Sequence, residues 1–248
     1  DSEGEGGPPS SKRGAVLSQA VHGGTLFQQM SSIQYVAFTA WFTVGAAWGN
    51  FYIGSLNSQL GQFTDNAETI GTLVVAFNAI VAAGVVVNPA VGWVMDKYGF
   101  PATAAASTLL SVVYGAGCLI DSAWMQIVTF CAYSAWRAFL FAFTFAYLPA
   151  TFGFENFGIL VGVAFLIGGL TGLVQPVLSN QAIRDKSFTV VNLVQLGMLL
   201  VSALYPVFLW RWQGHMAPVA RAGGKRGGDD DEAKSFKLSE TDYGTDKP

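Results

Sequence analysis

Six long, uninterrupted apolar runs leave this chain few architectures other than a bundle of membrane-spanning helices. A hydrocarbon core about 30 Å thick takes roughly 20 residues of helix to cross. The runs cover 35–56, 70–95, 101–120, 123–147, 157–178 and 188–210, and the one charged residue inside them is Arg137. A buried parallel sheet in a soluble protein would also be apolar, but strands of about 3–10 residues are too short to account for runs of this length. The Gly- and Ala-rich texture of the runs suits helices that approach closely in lipid. Hydrophobic residues make up 52% of the chain and charged ones 12%, roughly half the charge of a soluble domain. The expected fold class is therefore an all-α membrane protein with six transmembrane helices.

The basic residues orient the bundle. Lys12 and Arg13 precede the first run, Lys97 lies between the second and third, and Arg211, Arg221, Lys225, Arg226, Lys234, Lys237 and Lys247 follow the sixth. With an even number of spans all three groups share a side, which the positive-inside bias makes cytoplasmic. Arg184 and Lys186 alone fall opposite. The expected organisation is a flexible cytoplasmic loop over 1–30, a six-helix bundle over 31–212 and a disordered cytoplasmic tail over 213–248. That tail carries the acidic run Asp229, Asp230, Asp231 and Glu232. Both termini are expected in the cytoplasm, with either the plasma membrane or an organelle membrane as host.

Little in the sequence supports chemistry. Cys118 and Cys131 have no His or Cys at metal-ligand spacing, and the reading is of buried free thiols. There is no phosphate-cradling Gly loop and no nucleophile–base pair. No catalytic residue, metal, cofactor or nucleic-acid partner is expected, and the chain reads as no enzyme.

Between the second and third runs stands Gly92-Trp93-Val94-Met95-Asp96-Lys97-Tyr98-Gly99. Its glycines suit a tight loop, and a carboxylate at a membrane boundary can dock on the positive end of a facing helix. The segment resembles the loop signature of the major facilitator superfamily, G-x-x-x-D-[RK]-x-G, which makes Gly92, Asp96, Lys97 and Gly99 a candidate gating motif. Phe100 and Pro101 replace the basic residues that complete the signature, as is common in its second copy, and the resemblance thus implies the C-terminal six-helix half. Three further segments are similar to solute carrier family 43, the facilitative large neutral amino-acid transporters, and to their protozoan and fungal relatives. They are Asn50-Phe51-Tyr52-Ile53-Gly54-Ser55-Leu56-Asn57, Trp136-Arg137-Ala138-Phe139-Leu140-Phe141 and Phe152-Gly153-Phe154-Glu155-Asn156-Phe157-Gly158. The similarity covers about 31–212. Gly153 and Asn156 stand where that family has Pro and His, which leaves the substrate open.

Arg137 constrains function most. An arginine at mid-helix costs about 2.5 to 3.5 kcal/mol to insert, and no Asp or Glu lies within any of the six runs. Its partner is a substrate carboxylate, a carboxylate from another half, backbone carbonyls or cavity water. The guanidinium fork fits a carboxylate in two-point contact. The resemblance implies that the first and fourth helices line a central cavity. Candidate substrate-binding residues are Arg137 with Tyr133 and Ser134 one turn before it, and Asn50 and Asn57, which share a face with Gly54. The asparagines serve equally as helix-to-helix glue. Asn78 is weighed in the same way, and Asn88 before Pro89 reads as satisfying a kinked backbone. Small residues in the fifth run, Gly158, Gly162, Gly168, Gly169 and Gly172, favour close sliding contacts, and Glu155 and Asn156 suit the start of its helix.

The expected function is facilitated, uncoupled transport of neutral amino acids or similar small carboxylates by alternating access. The partners would be the small-molecule substrate, the lipid bilayer and an N-terminal six-helix half. The alternatives are a non-transporting truncated subunit that binds a partner, and a nutrient sensor.

Overall fold

The computed structural model describes residues 24–212 other than 65 and 186. The described residues up to 209 belong to one compact body. The described secondary structure is helical throughout. In chain order the helices are α1 (Leu26–Met30), α2 (Ile33–Phe63), α3 (Ala67–Ala83), a 3-10 turn (Gly84–Val87), α4 (Asn88–Gly117), α5 (Ala123–Phe152), α6 (Phe157–Gly172), α7 (Gln175–Arg184) and α8 (Thr189–Ser202). After a turn at Ala203 the chain is helical again over 204–212.

Local chemistry sets the helix ends. The Ser32 hydroxyl accepts from the Tyr35 N–H and opens α2; Asn66 Oδ1 accepts from the N–H groups of Glu68 and Thr69 and opens α3. Side-chain caps of this kind satisfy donors that the first turn of a helix leaves free. Gly99 interrupts α4 with φ 79° and ψ −178°, a conformation essentially confined to glycine, and its carbonyl accepts from Thr103 Oγ1 at 3.0 Å. Gly153 stops α5 in the same way, with φ 84° and ψ 174°. Replacing Gly99 with alanine forces a Cβ into that region. The expected cost is about 1–3 kcal/mol, read as a lower apparent melting temperature of the detergent-purified protein.

Packing centres on α5. It pairs most extensively with α4 and also meets α3, while α2 lies along α6 and α4 along α8. Aromatic rings bind α2 to α5: Phe38 stacks near Phe143 (6.4 Å between centroids), Trp41 meets Phe143 edge-on (5.2 Å) and Tyr52 meets Tyr133 (5.1 Å). Phe38, Tyr133 and Phe143 are almost wholly buried.

Four stretches are long and apolar enough to cross a membrane: Ala67–Gly117, Ala123–Phe152, Phe157–Arg184 and Thr189–Trp212. The body is thus built as an all-helical membrane protein. Three of the six expected spans do not stand out as separate stretches. The second and third lie within one 51-residue stretch that Gly99 breaks. The first lies in α2, whose 31 residues would reach about 46 Å at 1.5 Å each. Thr39, Thr43, Asn50, Ser55, Asn57, Ser58 and Gln59 lower its apolarity, and it is not among the four.

Other expectations also shift. The loop assigned to 1–30 contains α1, which is docked rather than free: Gln29 is buried and its Nε2 donates to the Phe152 carbonyl at 2.9 Å. Residues 1–23 and the tail 213–248 lie outside the described residues, as does Lys186. Both cysteines are free, with Cys118 buried but Cys131 exposed. Among the fifth-run glycines, a methyl at Gly168 would touch Ala46 and Phe42, whereas at Gly158, Gly162 and Gly169 it would meet open space. The Gly168 contacts, at 3.6 and 3.7 Å, are of ordinary van der Waals length, so no close approach within this body depends on any of those four.

Candidate solute-binding pocket

The pocket forms where a helix fails to run straight. At the end of α3 the Gly84 N–H reaches back to the carbonyl of Val81 rather than that of Ile80, so the chain tightens into the 3-10 turn. This frees the Ile80 carbonyl, and Ser134 Oγ on α5 donates to it at 3.1 Å. Gly84 is required at this contact, because a Cβ there would overlap the Ser134 hydroxyl. Pro89 follows, with no N–H to give. Irregular backbone at membrane depth is tolerated where it is buried in protein or lines a cavity, and here it lines one.

That cavity, of about 450 Å³, is walled by Val81, Gly84, Val85 and Asn88 on one side and by Ser134, Arg137, Ala138, Phe141, Ala142 and Phe145 of α5 on the other. None of these residues is acidic. Arg137 is half-buried, with its guanidinium carbon 5.7 Å from the centroid of the Phe141 ring, a cation–π distance. Tyr133, one turn earlier, lies beside the Arg137 side chain and donates its hydroxyl to the Gly49 carbonyl of α2 at 3.1 Å. The arrangement presents a fixed planar cation and an amide (Asn88) against two aromatic rings. Such a site can grip a small flat molecule by paired hydrogen bonds at its edge and by contact with its face.

The expected site residues divide. Arg137 and Ser134 line the cavity, but the Ser134 hydroxyl is committed to Ile80. Tyr133 is buried behind the cavity as a support. Asn50 and Asn57 are exposed on α2, on one face with Gly54 as their spacing implied, and neither is among the residues walling the cavity. Asn88 is the residue that sequence reasoning undervalued: it lines the cavity instead of only serving a kink. The pairing of Gly84 with Asn88-Pro89 inside an apolar run was the available signal.

In the expected gating motif, Gly99 makes the turn while Gly92 stays helical, so only one of the two glycines is needed for backbone shape. Asp96 and Lys97 are exposed, and Lys97 Nζ lies over the rings of Trp93 (4.8 Å) and Tyr98 (5.3 Å). The Asn156 side chain does not cap α6; it donates to Gln29 Oε1 at 3.0 Å, which ties the α5–α6 connection to α1. Glu155 is exposed beside it.

No model of a known protein family matches the chain. Over 214 residues it is 25% identical to equilibrative nucleobase transporter 1 of Bos taurus, a match covering 76% of this chain and 43% of that protein. The chain thus spans less than half the length of this relative. A body of long apolar helices and this distant similarity together fit an integral membrane protein.

Proposed function

We propose that this chain is the C-terminal six-helix half of a major facilitator transporter that moves small, flat, polar solutes, nucleobases foremost, through a cavity built around Arg137. The observation that carries the reading is the broken α3–α4 helix facing a half-buried arginine across a cavity with no acidic lining residue. Interrupted helices at a membrane midplane recur where transporters hold their substrates. A guanidinium offers two parallel N–H groups that match the O6/N7 edge of a guanine-type base, and an asparagine amide matches the N6/N7 edge of adenine. Phe141 and Phe145 supply surfaces for the ring. The name of the bovine relative supports both the nucleobase class and facilitated, uncoupled movement. The relative's greater length supports a second bundle that completes the cavity. Counting the α2 helix and the two arms divided by Gly99 gives six passes, with both termini in the cytoplasm.

A second reading, transport of neutral amino acids or other small carboxylates, is favoured by the same guanidinium, which pairs with a carboxylate as well as with a base edge. Radiolabelled uptake by cells expressing the complete natural chain separates the two. Saturable uptake of adenine, guanine or hypoxanthine that unlabelled leucine does not inhibit is the expected result. Saturable leucine or phenylalanine uptake without nucleobase uptake would establish the second reading. Surface-expressed protein that moves neither would return the chain to the subunit or sensor class.

A further inference from the structure

We propose that the body holds internal water between α2, α4 and α8, bound among the side chains of Tyr52, Tyr114, Asn192 and Gln195. All four side chains are at most 3% exposed, and Tyr114 and Gln195 are wholly buried. Five of their polar atoms find no hydrogen-bond partner within the protein: the Tyr52 and Tyr114 hydroxyls, Asn192 Oδ1, and both Nε2 and Oε1 of Gln195. Each such atom left dry costs about 1–3 kcal/mol. Five in one place amount to a penalty that a packed core does not carry without compensation.

The orphans are gathered. Asn192 and Gln195 share a face of α8 at i, i+3 spacing. The Asn192 amide nitrogen is spent on Gln59 Oε1 (3.2 Å) and the Cys118 carbonyl (3.1 Å), which leaves its oxygen over. The Tyr52 and Tyr114 rings lie 5.8 Å apart between centroids, and both are near Cys118. Gln195 stands beside the Tyr114 hydroxyl without meeting it in hydrogen-bond geometry. The set is neutral, with donors and acceptors both present and no carboxylate among the four. That chemistry suits water, which accepts and donates together and typically makes about three bonds in a buried site. It does not suit an anion or a multivalent cation. The cluster lies next to the solute pocket through Tyr133, whose ring touches Tyr52 (5.1 Å) and Tyr114 (5.4 Å) and which also neighbours Arg137. The inference rests on burial and hydrogen bonding alone and does not depend on which solute is carried.

X-ray hydroxyl-radical footprinting tests it, because bound water generates radicals where bulk solvent does not reach. The protein used is the complete chain in lipid nanodiscs, with modification read by mass spectrometry. Tyr35 is the internal control: it too is almost closed to bulk solvent, at 3% exposed, but its hydroxyl is satisfied by the Leu160 carbonyl at 2.8 Å. Tyr52 and Tyr114 are expected to be modified several-fold faster than Tyr35. Gln195→Leu should bring Tyr114 down toward the control rate while leaving Tyr35 unchanged, which also reports that the fold is intact. Equal rates at all three tyrosines in the unsubstituted protein would overturn the proposal. So would fast labelling that Gln195→Leu leaves untouched in a protein with unchanged Tyr35. Should Gln195→Leu fail to fold, Tyr114→Phe takes its place, with Tyr52 labelling as the readout and the same two outcomes deciding.

Discussion

Replacing Arg137 with alanine is expected to lower solute uptake by the complete chain by about ten- to about a hundredfold at equal surface expression. A hydrogen bond to a charged group contributes about 1.5–3 kcal/mol, and each 1.4 kcal/mol is a factor of ten. The loss should fall on kcat/KM, since the guanidinium lines the cavity rather than the core. Arg137→Lys separates charge from shape. Lysine keeps the cation but loses the planar fork, so it should recover only a small part of the activity if the solute is gripped at two points. Full recovery by lysine would mean that Arg137 supplies charge alone. Unaltered kinetics in the alanine variant would remove Arg137 from the site altogether.

The largest expected effect on stability comes from the glycine slot on α2. Gly45 and Gly49, one turn apart, face the indole of Trp136; a Cβ at Gly45 would lie 3.3 Å from Cζ2, and one at Gly49 would overlap the ring. The indole has nowhere to go. Trp136 is 3% exposed and held between the rings of Tyr114 (5.1 Å) and Tyr133 (5.5 Å). Gly49→Ala should therefore destabilise the bundle by about 1–3 kcal/mol, the usual cost of overpacking a filled core, and Gly49→Val by more. Gly54 on the same helix is the control, because a Cβ there meets nothing within 4 Å. Gly54→Ala should be neutral or slightly stabilising through helix propensity. Apparent melting temperatures of the detergent-purified variants decide the matter, and equal shifts for Gly49→Ala and Gly54→Ala would refute the packing account. Gly49 also accepts the Tyr133 hydroxyl, so its substitution should disturb the support behind Arg137 as well.

Helix positions were largely legible in the sequence because apolar runs and capping residues are local signals. The expected run 123–147 lies inside α5, and the run 101–120 matches the arm of α4 that follows Gly99. Gly99 was recognisable as a turn because the motif supplied a glycine where the chain must reverse. Gly92 in the same motif was misjudged, since a glycine is also compatible with a regular helix and only φ distinguishes the two uses. Asn156 was misjudged for a related reason. A side chain at a helix start has the option of capping, but Gln29, 127 residues away, offered a better-placed acceptor.

The pocket was legible only in part. Arg137 announced itself because a charge in an apolar run demands compensation, and its cost is a property of the residue and the medium. Asn50 and Asn57 passed the same polar-in-apolar test, yet they are not among the residues that wall that cavity, because helical periodicity reveals which residues share a face but not what the face looks at.

The sequence by itself thus determined that the chain would be helical, apolar enough for a membrane and punctuated by one arginine. All of these follow from residue type and spacing along the chain. The tertiary structure alone decided that Ser134 would take the Ile80 carbonyl freed at Gly84, that Asn88 would come round to face Arg137, and that Gly49 would receive Trp136. These depend on how α3, the 3-10 turn and α5 cross. Crossing geometry is fixed by the fit of many side chains at once, which no local window of sequence encodes.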